Sequence, residues 1–435
     1  MEKEPVNRAL LDFIDASPNS FYAVRNLCAA MEKEGFTPLR ERETWTLEPG
    51  RGYYVTRNGS ALIAFRLPGE RCEGFQIMAS HSDSPALKLK VNAAMDPVGG
   101  LVRLNVERYG GMILSTWFDR PLSVSGRVMV RAAEGVETRL VNVERDLLVI
   151  PSLAIHMDRS VNEGHAFNVQ KELTPVLGAD AAALPALIAE AAGAEPADVL
   201  DTDLFLYPRQ RGVVAGAAGE LLVSPRLDDL QCAFASAKGL LLAEPKRSAA
   251  VCCVFDNEEV GSGTRQGAAS TFLKDVLRRI IIAGGGDDEA YLRALSSGFL
   301  LSADNVHGMH PNYPEKADPT NRPVLNGGVV IKYNASQKYT TDAVSGALTR
   351  LLCERAGVPV QTYFNRSDIA GGSTLGHISS AQVPVRAADV GLAQLAMHSA
   401  CETGGAEDTA RLVETARELY STSLLPEGNG AFRLL

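Results

Sequence analysis

The chain has no C-x-x-C pair. Its seven cysteines, at positions 28, 72, 232, 252, 253, 353 and 401, are odd in number and mostly lie in apolar surroundings. That argues against a disulfide framework and a cysteine-based zinc site, and reads most of them as small core residues. No apolar run reaches the roughly eighteen residues of a membrane-spanning helix. The basic excess that nucleic acid or an anionic membrane would demand is also missing. Lys and Arg total 43 against 52 Asp and Glu, a formal net charge of −9, so neither partner is expected. The segment MEKEPVNRALLDFI is charged and amphipathic and lacks the apolar core of a signal peptide, which makes the cytoplasm the expected compartment. Three catalytic signatures are absent as well: the helix-borne H-E-x-x-H zinc motif, the G-x-S-x-G nucleophile elbow and the Walker phosphate loop. The turn GGSTLG, residues 371–376, does not have phosphate-loop spacing.

At 435 residues the chain exceeds one ordinary core, and two or three domains are expected. Its centre of gravity is VCCVFDNEEVGSGTRQG, residues 251–267. An apolar, partly β-branched run of strand length ends abruptly in Asp256, Asn257, Glu258 and Glu259, followed by a Gly-Ser-Gly turn. Acids behind a buried strand must be paired or must hold a metal, and in open α/β sheets sites form at the carboxyl ends of strands. Two adjacent glutamates can divide the work there, one binding a metal and its neighbour handling a proton. An isolated Glu-Glu is more often a solvated acidic turn, so its company elsewhere decides.

The rest of the chain supplies that company. Residues 5–35 read as two helices broken at SPNS, with Ser20 as the N-cap of the second. Residues 53–56 and 60–66 form a hairpin turning at Asn58-Gly59, and residues 74–79 make a strand running into SHSDSP. From about 86 to 223 short alternating runs with Gly and Pro punctuation describe an antiparallel β-module carrying one Ala-rich helix near 180–192. After residue 224 the pattern alternates again: helix 228–243, strand 249–255, helix 268–281, strands 298–303 and 328–333, helix 341–356, strands 359–364 and 384–388, helix 406–420. The fold class is α/β, a doubly wound domain (1–88 and 224–435) interrupted by a β-rich insertion (89–223).

Polar residues gather where those strands end. His81 and Asp83 follow one strand, Asp228 and Asp229 open a helix, Glu258 and Glu259 follow the next strand, Asp304 and His307 another, and His398 lies near the end. A lone histidine is usually structural and an aspartate at a helix start is usually a cap. Five such sites on strand-end loops of one sheet are hard to explain as caps. Imidazole and carboxylate donors suit zinc, and the arrangement points to a pair of metals assembled from loops distant in sequence.

The motifs SHSDSPALKLK, SPRLDDLQCAF, FDNEEVGSGTRQGA, SADNVHGMHPNYPEK, IKYNASQKY, NRSDIAGGSTLG and LAQLAMHS, in this order, resemble those of the aspartyl aminopeptidase family of metallopeptidases over nearly the whole chain. The resemblance implies an α/β/α peptidase domain interrupted by a β-rich dimerisation domain. It implies two zinc ions per chain and removal of N-terminal residues, often acidic, from short peptides; Mn or Co could occupy the same nitrogen and oxygen ligands. It makes His81 and Asp304 ligands of one ion, Asp228 the bridge, Glu259 and His398 ligands of the other, and Glu258 the general base. Asp83 would orient the ring of His81. His307, Lys332 and Tyr339 would contact substrate, and His156 would reach the site of a neighbouring subunit within dimers that build a tetrahedral dodecamer. Many relatives have HTDSP and LDN where this chain has HSDSP and LDD, and neither change removes a ligand. His165, His310 and His377 are read as structural. A related dizinc carboxypeptidase or deacylase, an aminopeptidase for neutral residues, and an assembly protein with a vestigial site are the competing readings.

Overall fold

The computed structural model describes residues 1–372 and 374–435. Ser373, within the GGSTLG turn, lies outside the described residues. A nine-stranded mixed sheet dominates the molecule. Its order is Thr37–Pro38, Gly52–Arg57, Ala61–Arg66, Ser248–Phe255, Gly74–His81, Phe299–Ala303, Arg386–Gly391, Val329–Tyr333, Val360–Phe364. The four central strands from Ser248–Phe255 to Arg386–Gly391 run parallel, so their carboxyl ends share one edge.

Every residue of Ser248–Phe255 and of Gly74–His81 is buried, as expected for strands covered on both faces. The two-residue period splits them between two cores. Met78, Cys252 and Val254 pack with the helices Ser20–Lys33, Leu227–Leu241, Ala343–Arg355 and Asp408–Ser421. Phe75, Ile77, Ala79, Val251 and Phe255 pack on the opposite face with Phe272–Ala283 and Asp288–Ser296. The result is an α/β/α sandwich.

The hairpin Gly52–Arg57/Ala61–Arg66 turns at Asn58 and Gly59, both at positive φ, as that dipeptide demands. One expectation needs correction. The helix Ser20–Lys33 is capped by Asn19, whose side chain accepts the N–H groups of Phe21 and Tyr22, and Ser20 is its first residue. Asn19 has the extended backbone and the acceptor oxygen of a cap.

A second, six-stranded antiparallel sheet is built from residues 86–208. Its order is Gly135–Asn142, Leu122–Ala132, Val199–Pro208, Ala86–Ala94, Val102–Tyr109, Val176–Gly178. The helix Ala183–Ala192 packs on it through Leu184, Ile188 and Ala192. The strands Val213–Ala215 and Leu221–Ser224 leave that sheet and pair instead in a small sheet with Glu402–Gly405, Ala393–Leu395 and Val306–His307. No helix among the described residues is long and apolar enough to cross a membrane.

Candidate metal centre

The carboxyl edge of the central strands gathers most of the acids and histidines singled out above. His81 ends its strand, Asp256 to Glu259 follow Ser248–Phe255, and Asp304 follows Phe299–Ala303. Asp228 and Asp229 sit in the first turn of Leu227–Leu241, both with non-helical backbone angles. His398 holds a left-handed backbone, φ 66°, with its N–H on Glu402 Oε1 at 2.8 Å and its carbonyl on the N–H of Ile113 at 3.0 Å.

The two imidazoles are oriented alike. His81 Nδ1 donates to the carbonyl of Asp83 at 3.0 Å, and His398 Nδ1 donates to the carbonyl of Gly111 at 2.7 Å. In each ring Nε2 is left to face carboxylates. His81 Nε2 lies 3.5 Å from Asp228 Oδ1, and His398 Nε2 lies 3.4 Å from Asp228 Oδ2 and 3.3 Å from Glu259 Oε1. These gaps are long for charge-assisted hydrogen bonds, which run about 2.7–2.9 Å. Donors about 2.0–2.2 Å from one tetrahedral zinc lie about 3.3–3.6 Å from each other, which is the spacing found.

Three overlapping groups have ligand atoms within 4.8 Å of one another: His81, Asp228, Asp229 and Asp304; His81, Glu258 and Glu259; Asp228, Glu259 and His398. Asp228 belongs to the first and third, and its two oxygens point to different rings. Asp228 Oδ1 and Asp229 Oδ1 are buried without a hydrogen-bond partner.

Electrostatics lead to the same conclusion. Burial, aided by repulsion from neighbouring acids, pushes Glu258 up to about 8 and Glu259 up to about 7, and it raises Asp229 and Asp304 as well. Burial acts on Asp228 in the same sense, but the close imidazoles of His398 and His81 outweigh it and hold Asp228 low. Burial opposes charge on His398, yet Asp228 and Glu259 carry it up to about 11. So many carboxylates around two imidazoles lack positive charge, and divalent cations would supply it. The residues present therefore fit a metal-binding centre.

Asp83 is buried beside this cluster. Its carboxylate accepts the N–H groups of Glu258 at 3.1 Å and Glu259 at 3.2 Å, and lies 3.4 Å from His81 Nδ1. His307, at the end of Val306–His307, and Tyr339 line an adjoining cleft of about 350 Å³ together with Lys316, Arg322, Tyr363 and Arg366. Lys332 is buried behind the cleft. Its ammonium donates to the carbonyl of Asp304 at 2.7 Å, stands 3.5 Å from that residue's carboxylate and lies 5.3 Å from the centre of the Tyr339 ring. His156 is not brought to the cluster of its own chain. It occupies an exposed turn of the insertion, between exposed Ile155 and Met157. His165 pairs with Glu172 at 2.6 Å, and His310 accepts the N–H of Asn312 at 3.1 Å.

Sequence reasoning assigns no role to Glu402, Asp229 or Gly111. Glu402 is buried and accepts the N–H of Asp228 at 3.0 Å as well as that of His398. Asp229 reads only as part of a helix start in the sequence; its Oδ2 accepts the N–H of His81 at 3.1 Å. The LDD triplet carries a signal for Asp229, whereas nothing local marks a glycine carbonyl or a lone glutamate as an orienting group.

Residues 13–420 match the family described as Aminopeptidase I zinc metalloprotease (M18). The chain is 44% identical over 422 residues to a probable M18 family aminopeptidase 2 of Clostridium novyi, covering 95% of this chain and 98% of that one. It is 43% identical over 432 residues to the protein of the same description from Pseudomonas aeruginosa, covering 97% and 99%. Among solved structures, Ape4 in a complex with Nbr1 superposes with a TM-score of 0.93 at 36% identity, over 96% of this chain and 86% of that one. The structure described as "S. cerevesiae mApe1 dodecamer" superposes with a TM-score of 0.85 at 28% identity, over 96% of both chains.

Proposed function

The chain belongs to the M18 family of zinc aminopeptidases and is a peptide hydrolase, and from that premise we propose a dizinc enzyme that removes N-terminal residues, preferentially acidic ones, from short peptides. The observation that carries the dinuclear reading is Asp228, whose two oxygens face His81 and His398 separately. In this reading His81 and Asp304 would hold one ion, Glu259 and His398 the other, and Asp228 would serve both. Bound zinc would lower the pKa of the attacking water and polarise the scissile carbonyl.

Glu258 takes the proton of the attacking water and returns it to the leaving amine. Its neighbour Glu259 faces His398 and serves the metal. Asp83 fixes both glutamates by their N–H groups and, beside Nδ1, helps hold the ring of His81. Tyr339, and His156 of a neighbouring subunit, donate hydrogen bonds to the oxygen that gains charge. His307 lines the pocket for the substrate's first residues. With a net charge of −9, any preference for acidic peptides must be local. Lys316 and Arg322 at the cleft, and the fixed charge of Lys332 beneath Tyr339, supply it.

Self-association follows from the insertion, the dimerisation domain in this reading. Val91, Val98, Leu101, Val136, Leu153, Ile155 and Met157 are all exposed on it, and apolar surface of that extent is usually covered by a partner. A tetrahedral dodecamer with enclosed sites, admitting short peptides, is the assembly proposed.

Metal analysis should find about two divalent ions per chain, with Asp228→Ala losing both. Chelation should abolish hydrolysis without unfolding. Full activity in chelator with only trace metal present would overturn the reading. A panel of peptides differing at the first residue tests the acidic preference, and a peptide with a blocked N-terminus should not be cut; its cleavage would point to a deacylase or carboxypeptidase.

A further inference from the structure

One short stretch of the insertion, residues 109–113, touches both halves of the metal cluster. Gly111 receives the Nδ1 proton of His398, and the N–H of Ile113 binds that residue's carbonyl. Gly110, at φ 75°, lies so close that an added Cβ would meet Glu259 Cβ at 3.2 Å. Tyr109 reaches the other half. Its hydroxyl donates to Asp83 Oδ2 at 2.7 Å and accepts from Asn257 Nδ2 at 2.9 Å. A phenol can do both at once.

Those two partners control Glu258. Asn257 precedes it with a left-handed backbone, φ 63°. The Asn257 side chain is tied at its other end, where Oδ1 accepts from Thr264 Oγ1 and Gln266 Nε2, each at 2.8 Å. Asp83 holds the N–H groups of Glu258 and Glu259. Among the described residues, the hydroxyl of Tyr109 is the group that joins these two supports. Without it, a buried carboxylate oxygen and a side-chain amide each lose a partner, a costly state that both would relieve by rotating. Rotation of Asp83 would release the N–H groups of Glu258 and Glu259, and rotation of Asn257 would free the loop that precedes Glu258.

We propose that Tyr109, contributed by the insertion, is a positioning residue for Glu258, acting through Asp83 and Asn257. The proposal rests on the reading of Glu258 as the base.

Tyr109→Phe is the test. It keeps the edge-on packing of the ring against Phe205, at 5.6 Å between centroids, and removes the hydroxyl alone. Expected is a fall in kcat of about 10- to 100-fold with KM, metal content, particle size and thermal midpoint close to those of the parent. Added to Asp83→Asn, it should cost little more, because both act through one carboxylate. Asn257→Gly keeps a backbone suited to positive φ, removes the other support, and should reproduce the loss in kcat. Unchanged kcat in Tyr109→Phe, full additivity with Asp83→Asn, or a loss of kcat that merely tracks lost metal or a lowered midpoint would each overturn the positioning role. Glu258→Gln measured alongside separates the two ideas. If it is inactive while Tyr109→Phe is unimpaired, only the positioning role falls. If it remains active, the assignment of the base falls.

Discussion

The two large sheets solve opposite problems. In the nine-stranded sheet Ser248–Phe255 and Gly74–His81 are buried along their whole length and helices cover both faces. Polar groups are pushed to one edge, where they must satisfy each other or a metal. In the six-stranded sheet the strands alternate. In Ala86–Ala94, Leu87 and Leu89 are buried between half-buried Lys88 and Lys90; past a register shift Val91 is 74% exposed, and Met157 in the loop beyond is equally uncovered at 74%. One sheet gathers its candidate metal ligands within one chain. The other leaves large apolar side chains exposed. Damage to the first should therefore remove activity and spare assembly, and damage to the second should reach activity through assembly.

Glu258→Gln is the largest break. Turnover should fall by about 10²–10⁴ while metal content and particle size stay as they were. Glu259→Gln should instead weaken binding of one metal, measured by competition with a chelator. Identical behaviour of the two variants would erase the division of labour between neighbouring glutamates.

The next effect concerns the insertion. His156→Ala should be nearly inactive although His156 lies away from its own chain's cluster. Mixing it with inactive Glu258→Gln subunits should restore part of the activity, because some sites then pair an intact Glu258 with an intact His156. No recovery despite proven subunit exchange would return the insertion to a purely structural role. Smaller again is Lys332→Met. It should lower cleavage of peptides with N-terminal Asp relative to neutral ones by about tenfold, or about 1.4 kcal/mol. An unchanged ratio would leave Lys332 with only its visible task, holding Asp304. The smallest is Asn19→Ala, which removes both a helix cap and a hydrogen bond from Asn19 Nδ2 to Ser125 Oγ across the two modules. A loss of about 1 kcal/mol in chemical denaturation, with unchanged kcat, is expected.

Much of this architecture is legible because burial on both faces writes itself as continuous apolar runs, and the strands of the central sheet lie within a few residues of where the pattern puts them. The helix Asp288–Ser296 and the hairpin Leu424–Gly428/Ala431–Leu434 escape that reading. The first follows a glycine run that resembles a loop, and the second is short and half-exposed. The acids and histidines of the cluster are visible because each sits at the end of an apolar run or inside a distinctive motif. Their supports are not. Tyr109 meets Asn257 across 148 positions, Glu402 meets Asp228 across 174, and Gly111 meets His398 across 287. No local pattern encodes a hydrogen bond to a residue that distant. Lys332 is a further case: its ammonium donates to the carbonyl of Asp304, 28 positions away.

The interruption of the peptidase sheet also imposes an order in time. Strand Gly74–His81 lies at the centre, between Ser248–Phe255 and Phe299–Ala303, and its Ser80 meets Cys253 across 173 positions. On a ribosome adding about 5–20 residues per second, the nearer of these neighbours arrives about 10–30 s later. Through that interval a strand destined for complete burial has no lateral partner, and every strand of the insertion is made before that partner arrives. The inserted sheet is thus complete before the sheet that carries the candidate metal ligands, so the proposed dimerisation surface would be available while a nascent chain is still inert toward peptides.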